Sequence, residues 1–141
     1  MRVLVDTNVV LDYLLEREPY TESARKIVLG CKQKKVIGCI AAHTVSNMFF
    51  ILRKTYSVED RRTILKDICK LFDVEGIDRL KIIQALDNSD FKDFEDCLQM
   101  QCAKSFRADY ILTRNLADYR DSEIACISPE EFCEKYLDQN A

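Results

Sequence analysis

Histidine is almost missing from this chain: His43 is the only one in 141 residues. A Ser-His-Asp or Cys-His device would have to be built on that single imidazole, and a zinc site of clustered Cys and His has too few nitrogens to draw on. Glycine appears three times and proline twice, which excludes collagen-like, linker-rich and long disordered organisations. No apolar run approaches the ~20 residues that a membrane span needs, and the N-terminus has no leader-like pattern. The expectation is a cytoplasmic protein without membrane association.

Cysteine, by contrast, is plentiful. Cys31, Cys39, Cys69, Cys97, Cys102, Cys126 and Cys133 include no C-x-x-C pair, and seven is an odd number. With no secretory pattern, a disulfide framework is not expected, and the thiols read as reduced core fillers. At 48% hydrophobic and 32% charged, the composition is that of an ordinary globular protein. The length suits one domain spanning 1–141 with a real core.

The net charge of −3 argues against indiscriminate nucleic-acid binding, but the charge is unevenly spread. Residues 25–81 carry 13 basic and six acidic groups, whereas residues 82–141 carry six basic and 13 acidic. A basic middle beside an acidic remainder is what a phosphate-tracking face next to a cation site requires. Solvated helix faces account for the same counts.

Hydrophobic patterning alternates strands and helices. Residues 2–6 read as a strand, followed by helical spacing through Val9, Val10, Tyr13 and Leu14, and again from Tyr20 to about Cys31. Residues 36–40 read as a second buried strand. Thr44 is expected to cap a helix with Val45, Met48, Phe49 and Leu52 inward. Ser57 opens another helix, Phe72-Asp73-Val74 forms a short strand, and Asp78 caps a helix through Leu86. In residues 92–106, Phe94, Cys97, Leu98 and Cys102 fall on one side, with Asp93 and Asp96 neighbours and Glu95 turned away. Tyr110-Ile111-Leu112 and Ile124-Ala125-Cys126 read as strands, and Ser128-Pro129 starts a last helix. This order predicts a parallel, helix-covered sheet.

Within that class, Asp6 is placed at the carboxyl edge of the first strand, where open α/β sheets bind ligands. Asp93, Asp96 and Asp118 come much later, at starts of helix-like or turn segments. Carboxylates are the hard oxygen ligands that Mg²⁺ and Mn²⁺ prefer, and a two-metal phosphodiester chemistry needs several of them but no histidine. Each acid also has a plainer explanation: Asp6 and Asp93 as helix caps, Asp118 as a turn residue.

The segments Val5-Asp6-Thr7-Asn8-Val9, Asp93-Phe94-Glu95-Asp96-Cys97-Leu98 and residues 108–119, from Ala108-Asp109-Tyr110 to Ala117-Asp118-Tyr119, together resemble the PIN domain, particularly its toxin-like branch of VapC type. The resemblance runs over essentially the whole chain. It implies a three-layer α/β/α Rossmann-like sandwich with a central, mainly parallel sheet, and a Mg²⁺- or Mn²⁺-dependent ribonuclease. It also implies a homodimer and, in toxin operons, an inhibitory antitoxin protein. Carried over by position, Asp6, Asp96, Asp93 and Asp118 would be catalytic and metal-ligating. Thr7, Asn8, Asn47, Thr113 and Asn115 would orient ligands or substrate. The basic middle of the chain suggests that an RNA backbone would lie toward residues such as Arg53, Lys54, Arg61 and Arg62.

Two positions depart from the family pattern. Asn47 stands where the family usually has Glu, and Asn115 where many members have Asp. An amide oxygen can coordinate a cation but brings no charge, so cation affinity should weaken. The alternative function is therefore a PIN module that binds nucleic acid or a protein partner without cleaving. Aspartyl-phosphate chemistry fits poorly, because Asn8 replaces the second acid that a phosphatase would want, and Asp6 has no acidic neighbour for a receiver domain.

Overall fold

The computed structural model describes residues 1–138; residues 139–141 of the expected domain lie outside the described residues. In chain order the elements are β1 (Arg2–Val5), α1 (Thr7–Leu14), α2 (Thr21–Lys32), β2 (Ile37–Ala41) and α3 (Ala42–Ile51). They continue with α4 (Val58–Leu71), β3 (Asp73–Glu75), α5 (Arg79–Asp87), α6 (Phe94–Phe106), β4 (Tyr110–Leu112), β5 (Cys126–Ile127) and α7 (Pro129–Phe132). Short 3₁₀ turns occupy Leu52–Lys54 and Leu116–Tyr119, and α7 runs on into a π-helical turn over Cys133–Leu137.

The five strands form one sheet in the order β3-β2-β1-β4-β5, every pairing parallel. Leu4 lies opposite Cys39 on one side and Ile111 on the other. Because side chains alternate along a strand, the sheet faces two cores. Val3, Val5, Ile40 and Leu112 pack with α1, α2, α4 and α7 on one face. Leu4, Cys39, Ala41 and Ile111 pack with α5 and α6 on the other. That is the expected α/β/α sandwich. Leu4 is fully buried, a burial that contributes roughly 1.5–3 kcal/mol.

Gly38 on β2 is needed for close packing. A Cβ there would sit 2.9 Å from both Cys31 Sγ and Phe72 Cδ1.

Several boundaries and roles differ from the sequence reading. Thr44 does not cap α3: the helix begins at Ala42, directly off β2, and Thr44 is buried inside it. The Thr44 hydroxyl instead meets Thr7 Oγ1 at 2.8 Å. β1 stops at Val5, β2 and β3 each lie one residue further on than expected, and β5 is Cys126–Ile127. Parallel register decides these ends; Ala41, for example, finds its partner in Glu75. Phe94 is not on the inward side of α6, being 41% exposed. As the first helical residue it precedes the buried stripe that starts at Cys97.

Other local signals hold. Ser57, Asp78 and Ser128 accept from the backbone N–H three residues on, at 3.1, 3.0 and 3.1 Å. All seven cysteines are free and five are buried; Cys126 is half-buried and Cys69 exposed, so the core-filler reading fails for Cys69. Among the described residues no helix is long and apolar enough to cross a membrane.

Candidate active site

Asp6 follows the last residue of β1 and stands at the N-cap position of α1, yet its side chain makes no capping hydrogen bond. The carboxylate is 3% exposed and is held from two sides. Gln99 Nε2 donates to Oδ1 and Thr113 Oγ1 donates to Oδ2, both at 2.8 Å. β1, α6 and the end of β4 thus converge on one aspartate. Capping is therefore not what this residue is for: one hydrogen bond on each oxygen fixes the carboxylate and leaves each oxygen a second acceptor site.

Asp93 is a cap: its Oδ1 accepts from the Asp96 N–H at 3.0 Å. It also lines a pocket of about 410 Å³ whose walls hold Asp6, Asp93, Glu95, Asp96 and Asp118. All four sequence-predicted acids meet there, joined by Glu95. Glu95, expected to turn away from Asp93, lines the same pocket; Asp93 has extended backbone (φ −105°, ψ 118°) at the N-cap and is not on the helix surface. Residues of a first turn splay around the helix end instead of following one stripe.

Asp96 carries the electrostatic signature of the pocket. Burial, then the nearby charges of Asp6 and Asp93, push its carboxyl up to about 7; Tyr119 opposes this and Asp118 adds to it. The Tyr119 hydroxyl donates to Asp96 Oδ1 at 3.3 Å, and burial keeps that phenol protonated far above neutral pH. A carboxyl raised this far marks a group that is desolvated first and crowded by like charges second.

Among the candidate orienting residues, Asn8, Asn47 and Asn115 line the same pocket, as does Thr7. The Thr7 hydroxyl is engaged with Thr44, and Asn8 Oδ1 lies 3.5 Å from the Arg17 guanidinium. Thr113 is fully buried, so it orients Asp6 and does not reach substrate. Its hydroxyl also accepts from the Asn115 N–H at 3.1 Å. Asn47 Nδ2 points at Glu95 Oε2, 3.5 Å away.

The basic residues are less gathered than their clustering in sequence suggests. Arg53 stacks on Phe50, 3.6 Å from the ring centroid, and Phe50 lines the acidic pocket. Arg61 stacks on Phe49. Arg62 lines a separate apolar cleft of about 700 Å³ that has no carboxylate in its walls.

Sequence reasoning missed five contributors. Gln99, one turn beyond Asp96 on α6, was open to detection by its i,i+3 spacing. Glu95, Tyr119 and His43 carried no local signal, and neither did Asp12. Asp12 is 1% exposed and takes Arg114 Nε at 2.9 Å and Nη2 at 3.3 Å. That pair ties the loop bearing Thr113 and Asn115 to α1.

Two observations bear on whether a cation suits this pocket. The donor set is mostly hard oxygen, with the His43 imidazole beside it, and the buried Gln99 Oε1 has no hydrogen-bond partner, which leaves an acceptor for a coordinated water. Among the described residues no three His, Cys, Asp or Glu side chains form a ready-made cage. The carboxylate-rich lining and the spare Gln99 acceptor are the chemistry that a hydrated divalent ion of the Mg²⁺ kind takes.

Fold and pocket together define a class: a parallel α/β domain with an acidic site at the carboxyl edge of its central strand. The chain belongs to the PIN domain family, whose sequence model matches residues 2–117. It is 24% identical over 144 residues to Ribonuclease VapC1 of Aquifex aeolicus (strain VF5), covering 96% of this chain and 95% of that protein. In fold it is similar to a toxin-antitoxin complex from Klebsiella pneumoniae (TM-score 0.69, 18% identity, covering 90% of this chain and 97% of that one). It is also similar to VapBC-1 from nontypeable Haemophilus influenzae (TM-score 0.69, 13% identity, covering 92% and 99%).

Proposed function

We propose that this chain is a divalent-metal-dependent endoribonuclease of the cytoplasm, acting as the toxin of a toxin-antitoxin pair, with RNA as substrate, a protein antitoxin as inhibitor and a homodimer as its working form. The observation that carries this reading is the meeting of Asp6, Asp93, Asp96 and Asp118 in one pocket, with Asp96 already burdened by its neighbours' charge. The name of the Aquifex relative and the descriptions of the similar structures support the RNA and antitoxin parts.

In this reading Asp6 and Asp96 are the principal ligands of Mg²⁺ or Mn²⁺, assisted by Asp93 and Asp118. Glu95 makes good the charge lost at Asn47, since it stands beside that amide in the same pocket. The cation, when bound, supplies an acidified water and stabilises the leaving oxygen of the phosphodiester. The chain's own residues do the rest. Gln99 and Thr113 hold Asp6 in one rotamer, and Tyr119 steadies Asp96. Arg53, stacked on Phe50, offers positive charge to an RNA backbone at the rim.

The test is cleavage of structured RNAs in Mn²⁺ by the wild type and by Asp6→Ala with Asp96→Ala. The expected loss is at least about a hundredfold; cleavage that survives both substitutions sinks the proposal. Asn47 and Asn115 favour a second reading, a PIN module that binds RNA or a protein without cutting. Calorimetric titration with Mn²⁺ separates the two: no metal uptake together with retained RNA affinity supports the second.

A further inference from the structure

Phe50, near the end of α3, is 61% exposed and at the same time lines the acidic pocket. A single exposed apolar side chain is ordinary on a protein surface, so its setting carries the argument. The Arg53 guanidinium lies 3.6 Å from the ring centroid, and Arg53 Nη1 donates to the Phe50 carbonyl at 2.8 Å. The cation is thus fixed over one face of the ring by the backbone turn that follows it. With that face covered, so high an exposure leaves the other face open. Among the described residues Arg53 has no carboxylate partner, and the rest of its fork is free for an anion.

The pocket itself is a poor place for RNA to gain its grip. Asp6, Asp93, Glu95, Asp96 and Asp118 line it, and their charges repel a phosphodiester wherever a cation does not balance them. Affinity has to come in part from the rim. Phe50 is the one benzene ring among the residues lining this pocket. An aromatic ring holds a nucleobase by stacking, whatever the base, and a guanidinium beside it takes the phosphate. Only an unpaired base can offer its face; inside an A-form duplex the neighbouring bases already cover it.

We propose that Phe50, braced by Arg53, is a stacking platform for an unpaired base beside the cut, so that the site takes single-stranded or looped RNA in preference to duplex. This rests on the ribonuclease reading above and adds to it the residue that chooses among RNA structures.

The chain has no tryptophan, so Phe50→Trp installs a single fluorophore at the platform. With a chelator present to prevent cleavage, a single-stranded RNA of about 12 nucleotides should quench its emission. Leu80→Trp, on α5 and outside the pocket lining, should stay unquenched. In anisotropy titrations, Phe50→Ala and Phe50→Leu should bind the single strand about fivefold to a hundredfold more weakly than the wild type. Their circular-dichroism spectra should be unchanged, and binding of the corresponding duplex should move far less. Phe50→Leu keeps apolar bulk and loses only the ring, so full affinity in that variant overturns the proposal. RNA that binds while the Phe50→Trp emission stays silent overturns it too, and leaves the nuclease reading standing. A wild type that binds no RNA overturns both. An emission that shifts to the blue with protein concentration and ignores RNA assigns the ring to a protein contact, again against the proposal.

Discussion

Asn47 on α3 and Glu95 in the first turn of α6 approach to 3.5 Å, amide nitrogen to carboxylate oxygen. The pairing bears directly on the main departure from the family pattern. Where an acid is expected on α3 there is an amide, and a residue from another element brings a carboxylate to its side. Charge in the pocket is thus set by the sum of neighbouring groups.

From that relationship follows a contrast between two substitutions. Glu95→Gln should weaken Mn²⁺ binding more than Asn47→Ala, because only the first removes a charge from the pocket. Asn47→Glu should strengthen it, since a second carboxylate is added where a cation can bridge both. Isothermal titration with Mn²⁺ measures all three; an affinity unmoved by Asn47→Glu would show that this position does not face the ion.

The raised Asp96 carboxyl predicts a pH dependence of stability. Unfolded, the group titrates near 3.9; folded, it titrates at about 7. Between those values the folded state holds a proton that the unfolded chain has released, so metal-free stability falls as pH rises through this window and levels off above it. Asp96→Asn should raise the melting temperature at about pH 8, where the wild type carries the charge, and change it little near pH 4. Equal shifts at both ends would contradict the assignment. Metal binding should run the other way, strengthening by up to about tenfold per pH unit below 7 as the cation displaces that proton.

Gln99 is expected to matter for both stability and the site. Gln99→Leu conserves bulk but leaves Asp6 Oδ1 without its 2.8 Å donor in a position that is 3% exposed. The cost should be about 1–3 kcal/mol in urea denaturation, the usual penalty for a buried acceptor that loses its partner. Mn²⁺ affinity should fall as well, because Asp6 then keeps only the Thr113 contact.

The Asp12–Arg114 pair gives a fourth expectation. Arg114→Ala strands a carboxylate that is 1% exposed, with Arg17 still 3.7 Å away. A loss toward the lower end of about 3–5 kcal/mol is expected. Adding Asp12→Asn should recover much of it, since the buried charge is then gone; no recovery would show that Arg114 acts through its stacking on Tyr20.

Much of the fold was legible along the chain because its signals are local. The apolar run of β1, the serine and aspartate caps of α4, α5 and α7, and the strand–helix alternation each depend on residues a few positions apart. Strand ends were misjudged by a residue or so, because hydrogen bonding to a neighbouring strand, absent from any short window, fixes them. Thr44 was misassigned for a similar reason: its hydroxyl is claimed by Thr7, far away in sequence.

The sequence by itself determined that Asp6 stands at the carboxyl edge of the central strand, that Asp93 and Asp96 open one helix, and that histidine chemistry has a single residue to draw on. Only the tertiary structure decided that Gln99, Thr113, Tyr119 and Glu95 surround those acids, and that the Phe50 ring stands exposed at their rim. The physical reason is range. Caps and periodicity act within a turn or two of backbone, whereas the field on a buried carboxylate, and the side chains that hold it, come from whichever elements the sheet brings together.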